Sequence, residues 1–187
     1  GSTGKIVHGI HQGLADSGIE SFVCFGRGMI PKREKGIYKV STEIEARLHS
    51  LLARLFGGEY RYSFFSTKKL LYIISKIKPD IVHIHCLNCH FVNAYRLFSF
   101  LKKNKIPTVL TLHAEIMHTA GCEHAFSCEK WKTIGCKQCK TNKGIISRLI
   151  RDDASHNFAL MKKCMENFRT INIVGVSQYI SLRAKES

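Results

Sequence analysis

Residues 80–113, DIVHIHCLNCHFVNAYRLFSFLKKNKIPTVLTLH, decide the fold of this 187-residue chain. DIVHIH (80–85) and IPTVLTLH (106–113) have the apolar, β-branched composition of short buried strands. FVNAYRLFSFLKK (91–103) between them has the spacing of an amphipathic helix. Strand, helix and strand within this length are typical of a βαβ unit, whose two strands run parallel. The sequence therefore predicts an α/β fold with an open parallel sheet.

Helices and strands continue to alternate on both sides of this unit. A first helix is expected after Ser2 or Thr3, with Gly18 at its carboxyl end, where glycine is common. Gly9 and Gly13 in this helix would allow a sheet to approach closely. Further helices are predicted at 66–78, at 145–169 and after residue 177, and short buried strands at 21–25 and 171–177.

A helix is also predicted to begin at Thr42, because Glu45 three residues later completes the pattern of a capping box. Every third or fourth residue of this helix is apolar. Packing in the core is the expected role of this apolar stripe, and contact with a membrane is the alternative. The stripe consists of Ile44, Leu48, Leu51, Leu52, Leu55 and Phe56.

Composition restricts the class of protein and the kind of partner. Lys and Arg outnumber Asp and Glu by 29 to 14, which leaves a formal net charge of +15 and favours anionic partners. No apolar run approaches the ~18 residues of a membrane span, and the chain does not open with a signal peptide. The length suits one domain over residues 1–187, and we expect the natural protein to begin before Gly1.

Polar side chains stand at the carboxyl ends of the predicted strands. His83 and His85 are two residues apart and therefore face the same side of the sheet, and Asn88 follows them. His113 ends the second strand, where a histidine can donate to a hydroxyl or exchange a proton. Ligands of open parallel sheets bind beyond these strand ends, so we predict a site there. A buried structural role is the alternative for the histidines.

The first residues, GSTGK (1–5), form a glycine-containing loop that opens a helix. Backbone N–H groups at a helix N-terminus suit a phosphate or a sugar hydroxyl. The loop lacks the spacing of a Walker A motif. Contact with a ligand is predicted, and a simple tight turn is the alternative.

Eight cysteines in a chain without an export signal indicate a reducing compartment, in which stable disulfides are rare. Four of them have the spacing C-x5-C-x7-C-x2-C and could bind a tetrahedral structural zinc ion. Reduced cysteines without metal are one alternative. Another draws on the second CxxC motif, Cys86 and Cys89. The four predicted ligands are Cys122, Cys128, Cys136 and Cys139.

Four segments together resemble the N-terminal domain of family 4 glycosyltransferases, and most closely its bacterial polysaccharide-biosynthesis members. In chain order they are GSTGKIVHGIHQGLADSGIESFVCFGRG, PDIVHIHCLN, TVLTLHAEIMHTAGCEHAFSCEKWKTIGCKQC and VGVSQYI. The resemblance extends from Gly1 to about Ser181. It implies a GT-B fold, in which this chain is the Rossmann-like, acceptor-side domain with a cysteine-rich loop insertion.

The resemblance also implies an activity and site residues. Such enzymes transfer a sugar from a nucleotide-sugar to a hydroxyl with retention of anomeric configuration, and they need no metal for chemistry. Transfer is pictured as front-face, with the leaving diphosphate taking the acceptor proton. His113 matches the family's histidine near the donor sugar. The family's loop over the donor phosphates and the acceptor corresponds to Gly1, Ser2, Thr3 and Gly4.

The chain departs from the family pattern in two respects. Ala114 and Met117 stand where many relatives have an aspartate and a tryptophan, so the acceptor contact of those residues is not carried over. The first strand and the donor-binding C-terminal domain are also absent, so this chain alone is expected to be inactive.

The partners that the resemblance implies are a nucleotide-sugar and a saccharide acceptor, commonly one linked to a polyprenyl diphosphate. Together with the basic charge, this predicts a cytoplasmic protein at the inner face of an anionic membrane. Nucleic acid is not expected. Two alternatives stay open: a basic, zinc-containing module that binds nucleic acid, and a glycosyltransferase-like subunit without catalysis.

Overall fold

The computed structural model describes residues 1–28, 34–119, 121–136 and 153–187. Five strands occur in this part of the chain: β1 (Val23–Phe25), β2 (Ile37–Lys39), β3 (Val82–Ile84), β4 (Thr108–Leu112) and β5 (Ile171–Gly175). The helices are α1 (Ser2–Asp16), α2 (Glu43–Phe56), α3 (Phe64–Ile77), α4 (Ala94–Lys103), α5 (Lys130–Thr133), α6 (Ala154–Met165) and α7 (Gln178–Lys185).

All pairing between these strands is parallel. β4 is the middle strand of one sheet, with β3 on one side and β5 on the other, and β1 pairs with β2 in a second sheet. The predicted α/β fold with a parallel sheet is confirmed, as is the βαβ unit formed by β3, α4 and β4. The pairing of β2 with β1 was not predicted, because IYK is too short to give a periodic signal.

The main core lies between β4 and two helices, α4 and α6. Leu110 and Leu112 alternate along β4 with less buried residues, and both are buried. The apolar stripe of α4 packs in the same cluster through Leu97, Phe98 and Leu101. Asn93 accepts the N–H of Arg96 at 3.0 Å and so fixes the start of α4.

The end of α1 has the geometry predicted from Gly18. The N–H of Ile19 donates to the carbonyl of Leu14 at 2.9 Å, and that of Gly18 to Ala15 at 3.0 Å. These two bonds form a Schellman motif, which needs the positive φ of 73° that glycine adopts readily. The expected close contact at Gly9 and Gly13 was wrong, since no described atom lies within 4 Å of an added Cβ there.

The orientation of α2 differs from the prediction. Thr42 caps the helix through the N–H of Glu45 at 3.2 Å, but the Glu45 carboxylate accepts from Phe65 N–H at 2.8 Å, at the start of α3. This contact turns the polar side of α2 toward α3, and the face that becomes buried carries Ala46, His49 and Ala53. The predicted core stripe is therefore largely exposed, with Ile44 at 81%, Leu48 at 53% and Leu51 at 52%.

The last strand also differs from the prediction. Residues 171–177 were expected to form a buried strand, yet Ile173 and Val174 are each about half exposed. β5 is an edge strand that pairs only with β4 among the described strands. In the predicted helix 145–169, the described portion contains α6, and residues before 153 lie outside the described ranges.

His49 on α2 is the centre of a buried polar network. Its Nε2 donates to the Glu59 carbonyl at 2.8 Å, and its Nδ1 lies 2.6 Å from the hydroxyl of Ser63. The Ser63 hydroxyl also lies 3.1 Å from the His90 carbonyl. Burial, together with the nearby His90, lowers the pKa of His49 to about 4. The ring is therefore neutral at pH 7, with Nδ1 as the acceptor.

Acid should destabilise the protein through His49. Its pKa is lower in the folded state than the ordinary 6.5, so its contribution to stability is complete above pH 6.5 and is lost toward pH 4. Between pH 7.5 and about pH 5.5, we expect the wild type to lose about 1 kcal/mol more unfolding free energy than His49→Gln. Urea denaturation measures the difference, and the exposed His156→Gln should lose as much as the wild type. Equal losses in wild type and His49→Gln would contradict this assignment.

Candidate functional site

The parallel sheet brings the ends of three strands to one edge. His85 follows β3, His113 follows β4, and Ser177 lies two residues after β5. The hydroxyl of Ser177 accepts the N–H of Ile180 at 3.2 Å and so begins α7. In the described part of the chain, His85 and His113 do not cap a helix in this way. Their side chains are therefore polar groups at this edge that could contact a ligand.

Four side chains form a row along β3 and β4. His83 Nε2 lies 2.8 Å from the Thr111 hydroxyl, and His85 Nδ1 lies 3.0 Å from His113 Nε2. The rings of His83 and His85 have centroids 4.1 Å apart, as expected for residues two apart on one face of a strand. The structure thus brings the two predicted histidines, His85 and His113, into direct contact.

The charge state of this row follows from its surroundings. Partial burial, with His83 and His113 nearby, lowers the pKa of His85 to about 4. Burial and the proximity of His113 also lower the pKa of His83. One of the two nitrogens that join His85 and His113 must donate and the other must accept. At pH 7, His85 therefore contributes hydrogen bonding to the row rather than positive charge.

The predicted loop at residues 1–4 is instead the start of α1, which already begins at Ser2, and it lies near the same edge. The first intrahelical bond of α1 joins Lys5 N–H to the Gly1 carbonyl, so the N–H groups of residues 2–4 have no partner within the helix. The amino group of Gly1 is close enough to Cys89, in the loop after β3, to help lower the pKa of that thiol. Asn88, also predicted to bind substrate, contacts Cys86 and Cys89 in this loop.

The sequence places Glu115, two residues after His113, among the polar residues at the strand ends, but the structure gives it a structural role. Its side chain is fully buried, accepts the N–H of Ala125 at 2.6 Å and forms an ion pair with Arg183 of α7. The buried His118 imidazole lies 3.8 Å from the same carboxylate. This pair connects the segment after β4 to α7 and so supports the position of His113. The only sequence signal was an acidic residue in an otherwise apolar segment.

The cysteine-rich segment is organised around Trp131, which is 2% exposed. The indole N–H donates to the Cys128 carbonyl at 2.8 Å, and the Arg183 guanidinium lies 4.9 Å from the ring centroid. Cys122, Cys128 and Cys136 all pack in this cluster. Their fourth predicted partner, Cys139, lies outside the described residues.

The described parts of the chain contain no group of three His, Cys, Asp or Glu side chains placed to hold a metal ion. This includes the neighbourhood of Cys86 and Cys89, the alternative metal site. Because the predicted zinc set includes Cys139, that site stays a prediction.

A cavity of about 360 Å³ lies elsewhere, against α6 and α7. It is lined by Leu110 and Leu112, which alternate along β4 with Thr111, the partner of His83. Residues that alternate on a strand face opposite sides. The cavity therefore opens on the other side of the sheet from the histidine row, and its mainly apolar lining suits packing rather than sugar binding.

Comparison with known proteins gives one match. A family model described as Glycosyltransferase Family 4 matches residues 3–138. This range includes α1 except its first residue, the histidine row and the segment around Trp131. No curated protein and no solved structure gives a significant match.

Proposed function

The chain belongs to glycosyltransferase family 4, and from this premise we propose that it is the acceptor-side domain of a retaining enzyme. The enzyme transfers a sugar from a nucleotide-sugar to a saccharide acceptor, and a second domain supplies most donor contacts. The observation that carries the proposal is the hydrogen bond between His85 and His113 at the carboxyl edge of the sheet, beside the start of α1.

The chemistry of retention fits the side chains at this edge. In front-face transfer the leaving diphosphate accepts the proton of the attacking hydroxyl, so the protein need not supply a base. Glu115, the carboxylate nearest to His113 in sequence, is buried and paired with Arg183, so it is not free to accept that proton. The task of the domain is then to bind and orient both sugars.

His113 and the start of α1 supply two kinds of contact. The imidazole of His113 can bond to a sugar hydroxyl, and the contact with the Nδ1 of His85 holds the His113 ring in one orientation. The unused N–H groups at the start of α1 suit a diphosphate, with the positive end of the helix dipole behind them. Asn88 extends the site along the loop after β3.

Removing the imidazole of His113 should impair transfer. In the complete protein, we expect His113→Ala to lower kcat/KM by about 100-fold, because a polar contact to the reacting sugar is lost. His156→Ala, which changes an exposed histidine on α6, should leave it unchanged. Release of nucleoside diphosphate from a panel of nucleotide-sugars, with and without saccharide acceptors, measures the effect. Unchanged transfer in His113→Ala would support a subunit that does not catalyse.

We further propose that α2 binds the surface of an anionic bilayer, where a lipid-linked acceptor would lie. Its exposed residues Ile44, Leu48 and Leu51 follow the spacing of one helical face, and Arg47 and Arg54 lie beside that face. The net charge of +15 adds long-range attraction. No helix in the described ranges has the length and apolarity to cross a bilayer.

Vesicle sedimentation tests the α2 surface. Binding to phosphatidylglycerol vesicles should weaken about 30-fold in Arg47→Gln/Arg54→Gln, since each charge near an anionic surface contributes about 1 kcal/mol. Leu48→Ser/Leu51→Ser should also bind more weakly, whereas Leu182→Ser, at another exposed leucine, should bind as the wild type does. Equal binding by all variants would exclude α2 as the contact. Binding of RNA or DNA without lipid binding would favour the nucleic-acid module.

The third proposal is a structural zinc ion held by Cys122, Cys128, Cys136 and Cys139. Support comes from the spacing of the four cysteines, the last two of which form a CxxC motif. We expect about one zinc per purified chain by elemental mass spectrometry, and none in Cys136→Ser/Cys139→Ser. Zinc retained in that variant would place the metal elsewhere, and zinc absent from both proteins would contradict the proposal.

A further inference from the structure

The segment between β3 and α4 carries a cysteine pair that the proposed transfer reaction does not use. Residues 85–93 belong to no helix or strand. Leu87 and His90 anchor this loop, because both side chains are buried. Cys86 is half-buried and Cys89 is exposed, so both can react without unfolding of the core.

The two sulfurs are already close to each other. The Cys86 thiol donates to the side-chain oxygen of Asn88, and the Cys89 sulfur lies 3.9 Å from the same oxygen. The Cys86 thiol is also close enough to donate instead to the Cys89 sulfur, and this alternative affects the acidity of both thiols. Cysteine pairs that form and break a disulfide reversibly are commonly separated by two residues, as Cys86 and Cys89 are. Formation of an S–S bond requires only local movement of the loop.

We propose that Cys86 and Cys89 are a redox pair that closes to a disulfide reversibly, with Cys89 as the attacking thiol and Cys86 as the resolving thiol. The oxidant is a small-molecule disulfide. The proposal does not depend on the transferase function, since it concerns the thiol chemistry of the loop alone.

The environments of the cysteines explain the order of attack. The hydrogen bond from Cys86, together with the charge of Arg27, lowers the pKa of Cys89 to about 6, so Cys89 is mainly thiolate at pH 7. The same hydrogen bond and burial raise the pKa of Cys86. Burial raises the pKa of Cys24 to about 11 and also raises that of Cys164, which makes these two thiols poor nucleophiles.

The reaction proceeds in two exchange steps. The Cys89 thiolate attacks one sulfur of glutathione disulfide, forms a mixed disulfide and releases one glutathione thiolate. Cys86 gives its proton to that thiolate or to water and attacks the Cys89 sulfur, which releases the second glutathione. Two electrons pass from the cysteine pair to glutathione disulfide, and two glutathione thiols are formed.

Closing the disulfide changes the candidate site. The Cys86 sulfur loses its proton and can no longer donate to the side-chain oxygen of Asn88, so the amide is released from that partner. Cys86 directly follows His85 in the chain, so the bond also restricts the backbone beside the histidine row. The redox state of the pair therefore changes the hydrogen bonds and the backbone at the edge of the sheet where we place the substrate.

Glutathione redox buffers and peptide mass spectrometry test the pair. Reduced, purified protein at pH 7 should lose two hydrogens in the peptide that contains Cys86 and Cys89 as glutathione disulfide increases, and dithiothreitol should restore them. Cys24 and Cys164 are internal controls, and after denaturation they should be alkylated at every glutathione ratio. A pair that stays reduced at every ratio would overturn the proposal, as would a bound metal that protects both thiols until it is chelated.

Single variants test the order of attack separately. Cys86→Ser should accumulate a stable glutathione adduct on Cys89, at least about 10-fold faster than Cys89→Ser accumulates one on Cys86. The rate for Cys86→Ser should rise with pH as Cys89 ionises. Equal rates in the two variants, or faster reaction of Cys86, would refute the assignment of Cys89 as the attacking thiol.

Discussion

The parallel pairing of β4 with both β3 and β5 is the constraint on which this domain depends. Because the three strands share one direction, their carboxyl ends meet at one edge, and His85 and His113 meet there. The alternation of side chains along β4 assigns Leu110 and Leu112 to the core and Thr111 to the histidine row. One pairing register thus builds both the core and the candidate site.

Polar contacts then decide how the helices meet this sheet. Glu45 binds the start of α3, and His49 bonds to the backbone at Glu59, so the face of α2 that contains them turns inward. Buried polar groups must be hydrogen-bonded, and satisfying them takes precedence over burying every leucine. The exposed apolar stripe of α2 is the consequence, and it is also the surface that we propose for the membrane.

Different contacts hold the segment that follows β3 and the segment that follows β4. After β4, the buried pair of Glu115 and Arg183 holds the chain against α7 and the Trp131 cluster. After β3, residues 85–93 are held by the buried side chains of Leu87, His90 and Val92 and by the contact of Asn88 with the Cys86 thiol.

The sequence by itself determined the βαβ unit, the parallel sheet, the end of α1 at Gly18 and the family, because local periodicity, glycine at a positive φ and short motifs encode these features. It also placed His85 and His113 at strand ends. Only the tertiary structure decided that their rings touch, that Glu115 pairs with Arg183 and that α2 turns its leucines outward. These outcomes depend on partners distant in sequence, such as Glu115 and Arg183. The sequence of an apolar stripe does not show whether the stripe packs in the core or is exposed at the surface.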